Sequence, residues 1–398
     1  MARRKTSVPL TLAVLALVGC ACASPGASPT AAHTSARKVP STAPPSTTST
    51  TLSAVPTTVT VPVTQATGWA SMLTTLPPGG GFSSLSCLSD TFCIAAGGGT
   101  GGQPTASVTT SGAGVTVSWD GASWSDPSVY YPAPATGPVT VPILPTLTCT
   151  LGPTCVIVDG SGHVSTGNGT DWSTPTALRP GVGSTPVPSG GAGTVATASV
   201  ACPTPTFCAM VDSAGQADTM QGSTWAAVQT LGSPSPPPTG DGRVGISCPT
   251  ASFCRAVVGT AVVDWNGTSW SVEPVPWTTA LAPGASDTAI ACPSTTLCAI
   301  VSGSLLSYRH GNGPWSPVEP IDPHGGLDAI SCPTTSFCMA ADAGGSVTTW
   351  TGGSWSAPRA VLPEATDYPG IGTSLSCTRG RFCMLMNADG DFSTYAAS

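Results

Sequence analysis

Charge is scarce in this sequence, since Asp, Glu, Lys and Arg together make up 8% of the 398 residues. Lysine occurs only at Lys5 and Lys38, so residues 66–398 carry seven arginines against 19 acidic residues, a formal charge of −12. Proteins that bind nucleic acid need a basic surface to neutralise the phosphates. The composition therefore excludes nucleic acid as a partner, and it disfavours strongly anionic glycans for the same reason.

Motifs for catalysis and metal binding are missing too. The chain has no Gly-x-Ser-x-Gly nucleophile elbow, and His163, His310 and His324 lack the His-Glu-x-x-His spacing of zinc enzymes. No metal and no cofactor are predicted. After the first 20 residues no apolar run reaches about 18 residues, so we expect no membrane-spanning domain.

The first 20 residues have the composition of an export signal. A basic start precedes an apolar stretch from Val8 to Val18, and the segment ends Leu17-Val18-Gly19-Cys20. This ending resembles the lipobox of bacterial lipoproteins, which implies a signal peptide over residues 1–20 and lipid attachment at Cys20. Ordinary cleavage around residues 21–23 is the alternative. Two acyl chains on one residue give stable anchoring, so we expect attachment to the outer face of the cytoplasmic membrane.

Residues 21–65 are rich in Ser, Thr, Pro and Ala and poor in large apolar side chains. Such a segment cannot bury a core, so it is predicted to be a disordered stalk that holds the rest of the chain away from the membrane. Cys22 stands in this segment outside the cysteine pattern described next. It is either incidental, a second acylation point or one half of an intermolecular bridge.

What the chain has in abundance is a repeated pair of cysteines. Seven Cys-x5-Cys pairs occur, and their first cysteines lie 62, 53, 46, 44, 40 and 45 residues apart. A repeat of about 40 to 50 residues is typical of propeller blades. The pairs are Cys87/Cys93, Cys149/Cys155, Cys202/Cys208, Cys248/Cys254, Cys292/Cys298, Cys332/Cys338 and Cys377/Cys383.

Each pair belongs to a pattern of four short strands. An aliphatic residue stands two positions before the first cysteine, and an Asp-x-x-Gly turn such as Asp342 to Gly345 follows the second. Asp120-Gly121 and Asn266-Gly267 are strong signals for a later hairpin. A fourth strand is predicted to begin at a tryptophan in each complete repeat: Trp124, Trp172, Trp225, Trp270, Trp315 and Trp355. The pattern predicts an all-β, seven-bladed β-propeller over residues 66–398, with four antiparallel strands per blade.

The last repeat ends without a fourth strand, because only three residues follow Tyr395. Residues 68–71, around Trp69, precede the first repeat and have the character of the missing strand. We expect this N-terminal strand to complete the seventh blade and close the ring, which removes exposed sheet edges. A monomer is expected.

The cysteine pairs are interpreted as disulfides rather than zinc ligands. Structural zinc requires four converging ligands, commonly from Cys-x2–4-Cys pairs, whereas these pairs have five intervening residues and are spread around a ring. Export would place them in an oxidising compartment. Each bond should join the first two strands of its blade and stabilise it by about 2.4 kcal/mol in the chain-entropy model. The recurring tryptophans are interpreted as packing between blades rather than as sugar-binding platforms.

Candidates for ligand contact are few. The connectors between blades vary in length and should lie on the face opposite the disulfides, where function is expected. Glu273, Glu319 and Glu364 follow their tryptophans closely, and Trp277 stands outside the tryptophan pattern. Two carboxylates can hydrolyse a glycoside, although solvated loop acids are the simpler reading. Calcium at the Asp-x-x-Gly turns is the alternative to aspartates that cap their own turns.

The repeat SCPTTSFCMAADAGGSVTTWTGGSWSAP resembles one found in uncharacterised exported proteins of actinobacteria, and it is distantly similar to the Asp-box (BNR) repeats of sialidase-type propellers. The second resemblance implies a glycoside hydrolase. However, the turns lack the Ser-x-Asp-x-Gly-x-x-Trp form, and no arginine triad for a sialic carboxylate can be assigned, so no catalytic residues are carried over. The preferred function is a non-enzymatic surface lipoprotein that binds an envelope glycan or a protein partner. The alternative is a sialidase-like hydrolase.

Overall fold

The computed structural model describes residues 68–74, 81–98, 113–132, 144–152, 154–159, 162–178, 197–231, 244–259, 261–274, 288–366 and 372–396. All of them belong to the unit Val59–Ser398. The predicted signal peptide, Cys20 and the stalk lie outside the described residues. Within these ranges the chain forms β-strands and no helix, and so no helix that could cross a membrane.

The strands form seven antiparallel sheets, which are the blades of a propeller. The first strands are Gly81–Ser89, Thr146–Thr150, Ala198–Thr204, Gly245–Thr250, Thr288–Ser294, Leu327–Thr334 and Thr373–Cys377. The second strands are Phe92–Gly98, Thr154–Val158, Phe207–Asp212, Phe253–Val258, Leu297–Ser302, Phe337–Asp342 and Phe382–Asn387. The third strands are Gly114–Trp119, His163–Gly167, Gln216–Gln221, Ala261–Trp265, Leu305–His310, Ser346–Trp350 and Asp391–Ala396.

The fourth strands are the shortest in most blades. In blades one to six they are Ser128–Tyr131, Thr176–Ala177, Thr224–Trp225 with Gln229–Thr230, Trp270–Pro274, Glu319–Pro320 and Arg359–Ala360. The prediction that each begins at its tryptophan is wrong for blades one, two, five and six, where the tryptophan makes only an isolated bridge. A Ser-x-Pro or Ser-Pro sequence follows the tryptophan in these blades, and proline removes a ladder donor. The serine compensates: Ser356, for example, accepts a hydrogen bond from Thr349 N through its Oγ at 3.0 Å.

The N-terminal strand completes the seventh blade, as predicted. Gly68–Trp69 pairs antiparallel with the third strand of that blade, with Trp69 opposite Tyr395. Ala70 N donates to Thr394 O at 2.7 Å, and Leu73–Thr74 pairs further along the same strand. The two ends of the propeller therefore share one sheet, and the ring is closed.

All seven predicted disulfides are formed, and each joins the first and second strands of its blade. The bonded pairs are Cys87–Cys93, Cys149–Cys155, Cys202–Cys208, Cys248–Cys254, Cys292–Cys298, Cys332–Cys338 and Cys377–Cys383. Their Cα atoms lie 4.0–4.1 Å apart, closer than the 4.5 to 5.5 Å expected for directly opposed residues. Each bond closes a short hairpin between two neighbouring strands.

The second cysteine of each disulfide is part of the core rather than an accessible surface site. Seven residues share this position and are only 0–3% exposed: Cys93, Cys155, Cys208, Cys254, Cys298, Cys338 and Cys383. The sequence pattern alone predicts the bonds but not this burial, because burial depends on the neighbouring blade that covers the second strand. Each disulfide is therefore part of the packing between blades.

A row of three residues crosses each blade from the second cysteine to the fourth-strand tryptophan. In blade one, Cys93 lies opposite Trp119, which lies opposite Trp124. The tryptophan of each row packs against the preceding blade; Trp124 meets Phe392 of blade seven edge-on, with ring centroids 5.5 Å apart. The middle members of the seven rows are Trp119, Gly167, Met220, Trp265, Arg309, Trp350 and Tyr395.

Neighbouring blades are also joined by hydroxyl groups near the axis. The small residue before the first cysteine is a serine in four blades, and its Oγ accepts a hydrogen bond from the first cysteine N–H of the next blade. The four pairs are Ser86 with Cys149, Ser247 with Cys292, Ser331 with Cys377 and Ser376 with Cys87, at 2.9–3.0 Å. Blades three and five have Ala201 and Ala291 at this position and lack the hydroxyl.

These bonds predict opposite effects at two equivalent positions. Ser331→Ala should lower the free energy of unfolding by about 1–2 kcal/mol, because it leaves the half-buried Cys377 N–H unpaired. Ala291→Ser places a hydroxyl at the equivalent position of blade five. This substitution should raise the free energy of unfolding by a few tenths of a kcal/mol or more. Guanidinium titration with the disulfides intact measures both. Equal effects of the two substitutions would contradict a role for the hydroxyl.

Candidate functional site

The axial channel is narrow and lined by the first strands of all seven blades. It encloses about 220 Å³, and its wall consists mostly of Ser, Thr, Ala and aliphatic residues. Asp328 is the carboxylate among the described lining residues. Its two oxygens accept hydrogen bonds from Thr373 N and Oγ1, both at 2.7 Å, so this carboxylate joins blade six to blade seven. A single carboxylate engaged in this way does not form a hydrolytic pair.

A larger crevice lies between blades five and six. Its volume is about 810 Å³, and its walls include the half-buried rings of Tyr308, Trp350 and Trp355 together with Leu297 and Leu306. Trp350 and Trp355 pack against the Cys332–Cys338 disulfide and Ala291 of blade five. The crevice thus combines an aromatic wall with an aliphatic floor.

One departure of the fifth repeat explains why the crevice is here. The residue before the second cysteine is Leu297, whereas five other blades have phenylalanine: Phe92, Phe207, Phe253, Phe337 and Phe382. At the next interface, between blades six and seven, Phe337 is 1% exposed and stacks on Tyr395 at 6.1 Å. Leucine is smaller than phenylalanine, so space remains beside the rings of blade six.

Polar groups surround the aromatic wall. The hydroxyls of Thr296, Thr335 and Ser354, the exposed imidazole of His310 and the exposed carboxylate of Glu319 line the crevice. Thr296 and Thr335 belong to the disulfide hairpins, and His310 and Ser354 belong to the hairpins between third and fourth strands. The crevice therefore reaches the disulfide side of the propeller, while Glu319, Pro320 and Ile321 line it toward the connector side, where the sequence placed a ligand.

The three predicted glutamates have different surroundings. Glu319 lines the crevice, and Glu364 is exposed. Glu273 forms an ion pair with Arg309 and accepts a hydrogen bond from Trp315 Nε1 at 3.3 Å, so it joins blade four to blade five. Glu273 is thus engaged in packing between blades rather than presented on a ligand face.

Trp277 and most of the connectors that make up the predicted ligand face lie outside the described residues.

The interface between blades four and five contains two arginines. Arg255 is 1% exposed, pairs with Asp264 at 2.6 Å, and lies over the Trp315 ring at 5.5 Å. Arg309 lies over the same ring at 5.7 Å. Arg255 and Arg309 are therefore engaged between blades rather than presented to an acidic ligand.

The Asp-x-x-Gly turns are self-capped. Asp159, Asp212 and Asp342 each accept, through Oδ1, the N–H of the residue four positions later, at 2.7–2.9 Å. Burial raises the pKa of Asp342, and the charge of the nearby Asp322 carboxylate raises it further. The turns themselves thus need no ion, although the carboxylate of Asp342 lies near that of Asp322.

No family model matches the chain, and no curated protein matches it. The resemblances to the actinobacterial repeat and to Asp-box propellers therefore stay predictions. Solved propellers are similar in fold. "YCF48 bound to D1 peptide" is 12% identical with a TM-score of 0.53, over 85% of this chain and 100% of that chain.

Two further solved structures have a similar fold. A streptogramin B lyase is 8% identical with a TM-score of 0.55, over 82% of this chain and 97% of that one. The WD40 propeller domain of Doa1 is 9% identical with a TM-score of 0.54, over 83% and 97%. At these identities the likeness shows the propeller fold and nothing about the ligand.

Proposed function

We propose that this chain is a non-enzymatic binding protein of the cell envelope, and that its propeller holds a neutral glycan in the crevice between blades five and six. The observation that carries the proposal is the crevice itself, about 810 Å³ with three half-buried aromatic rings. Binding sites for small ligands are concave, largely apolar and roughly 300–1,000 Å³ in volume. The crevice meets each of these criteria.

The lining favours a sugar over a purely apolar ligand. A pyranose ring presents C–H groups on its faces and hydroxyls around its edge. Tyr308, Trp350 and Trp355 offer the aromatic surface for such faces, while Thr296 and Thr335 offer groups that both donate and accept hydrogen bonds. The formal charge of −12 on residues 66–398 favours a neutral sugar over an anionic one.

The hydrolase alternative has less support in the described residues. Retaining and inverting glycosidases flank the scissile bond with two carboxyl groups about 5–10 Å apart. Among the described lining residues the crevice has one carboxylate, Glu319, and the axial channel has one, Asp328, which is bonded to Thr373. A binding role needs no such pair.

A protein partner is the other ligand class that we retain. The propeller YCF48 is described as bound to a D1 peptide, so a ring of similar fold can hold a peptide segment. In the present chain the hydroxyl-rich rim of the crevice supports a glycan better. A peptide ligand is therefore treated as an outcome that the experiment below can reveal.

We further propose that the protein is exported and lipid-anchored at Cys20. Seven disulfides are typical of an oxidising, extracytoplasmic compartment. The full chain should partition into the detergent phase and take up labelled fatty acid in a bacterial host, and Cys20→Ser should abolish both. Fatty-acid labelling of the Cys20→Ser protein would point to Cys22 instead.

The glycan proposal is tested by screening the full chain against an array of bacterial envelope glycans, followed by titration of the best neutral ligand. Tyr308→Ala should weaken binding at least tenfold, because it removes one ring of the crevice wall. Glu319→Gln should change affinity by a smaller factor. Glu364→Gln is the matched control, since that exposed glutamate does not line the crevice, and it should bind as the wild type does.

Thermal melting of each variant separates loss of binding from loss of folding. Equal affinities of the Tyr308→Ala and wild-type proteins would remove the crevice from the proposal. Release of free sugar from any array ligand would favour the hydrolase. Capture of peptides but no glycan by the wild type would replace the glycan with a protein partner.

A further inference from the structure

Three metal-ligand side chains meet at the edge of blade six. One ligand atom from each of Asp322, His324 and Asp342 lies within 4.8 Å of the other two. The side chain of Asp322 is 1% exposed and Asp342 is 4% exposed, whereas the imidazole of His324 is 72% exposed. The group therefore has two buried anionic members and one that faces solvent.

The chain brings these residues together from two separate segments. Asp322 and His324 lie in the connector from blade five to blade six, where Gly325 and Gly326 have positive φ values of 77° and 89°. Asp342 ends the second strand of blade six. Ala343 N donates to Gly326 O at 3.0 Å, which holds the connector against the turn after Asp342.

The carboxylate of Asp322 is incompletely satisfied. Its Oδ1 accepts a hydrogen bond from His324 N at 3.0 Å and lies 3.4 Å from His324 Nδ1. Its Oδ2 is buried and has no hydrogen-bond partner among the described residues. A buried, ionised oxygen without a partner is costly, and a bound cation would remove that cost.

We propose that Asp322, His324 and Asp342 form a binding site for a divalent transition-metal ion of the Zn²⁺ class. An imidazole with two carboxylates suits Zn²⁺ and its neighbours, whereas Ca²⁺ takes six to eight oxygen ligands and Mg²⁺ rarely uses imidazole. Three protein ligands leave one position of a tetrahedral ion for water. Zn–ligand distances of about 2.0–2.2 Å require only small rotations of side chains that already lie this close.

The site adjoins the crevice but does not depend on the glycan proposal. Ile321, which precedes Asp322, lines the crevice together with Glu319. An ion held by Asp322 and Asp342 would fasten this wall to blade six. Metal binding and glycan binding are measured separately, so the failure of one proposal leaves the other standing.

The test uses the full chain with free thiols alkylated, so that Cys20 and Cys22 cannot bind metal. Titration calorimetry with ZnCl₂ should show one tight site per chain, and ZnCl₂ should raise the melting temperature relative to EDTA, whereas CaCl₂ should not. His324→Ala and Asp322→Asn should each weaken Zn²⁺ binding at least tenfold. His324 is exposed, so its removal should leave the fold intact.

Two further variants test the third ligand without breaking its turn. Blade seven has Asn387 at the position of Asp342, and its Oδ1 caps Asp391 N at 2.9 Å. Asp342→Asn should therefore keep the turn and still weaken Zn²⁺ binding at least tenfold. Asp212→Asn makes the same change in the turn of blade three, and it should leave Zn²⁺ affinity unchanged.

The proposal is overturned if the His324→Ala and Asp322→Asn proteins bind Zn²⁺ as tightly as the wild type. It is also overturned if Zn²⁺ and EDTA give the same melting temperature for the wild type. Equal weakening by Asp212→Asn and Asp342→Asn would mean a loss of general negative charge rather than of a ligand, and would contradict it as well.

Discussion

The contact between the recurring tryptophan of each blade and the preceding blade is the interaction on which this structure depends. A four-stranded blade with few large apolar residues cannot bury both of its faces alone, so it must pack against its neighbours. Trp124 meets Phe392 of blade seven, and Trp69 packs on the cluster that contains Phe337 and Met339 of blade six. The disulfides hold each hairpin in register, and the axial serines fix the spacing of the first strands. With the ring closed, each blade has a neighbour on both sides.

Function is expected where this repeated contact changes. At the interface between blades four and five the packing includes Arg255 and Arg309, whose charges are paired with Asp264 and Glu273. At the fifth and sixth blades Leu297 leaves a crevice bordered by three aromatic rings. The connector between these two blades carries Asp322 and His324. The unusual features of the ring are thus concentrated around blade five.

Much of the fold could be predicted because it depends on local spacing. The period of the cysteine pairs indicates seven blades, and the missing strand after Tyr395 indicates closure by the segment around Trp69. The interrupted fourth strands were harder to foresee, because their Ser-Pro sequences follow a tryptophan that predicts a strand start. The crevice and the Asp322–Asp342 cluster depend on contacts between repeats, which spacing within a repeat does not reveal. Leu297 was visible in the sequence as a leucine where five other blades have phenylalanine, but only the packing of blade six against it shows the consequence.

The central claim is that the crevice exists because Leu297 stands where five other blades have phenylalanine. The most direct test is the free energy of unfolding of Leu297→Phe, measured by guanidinium titration beside the wild type. If space is present, the larger ring fills it and the protein becomes more stable by about 1 kcal/mol. A loss of roughly 1–3 kcal/mol, the usual result of overpacking a filled core, would contradict the account.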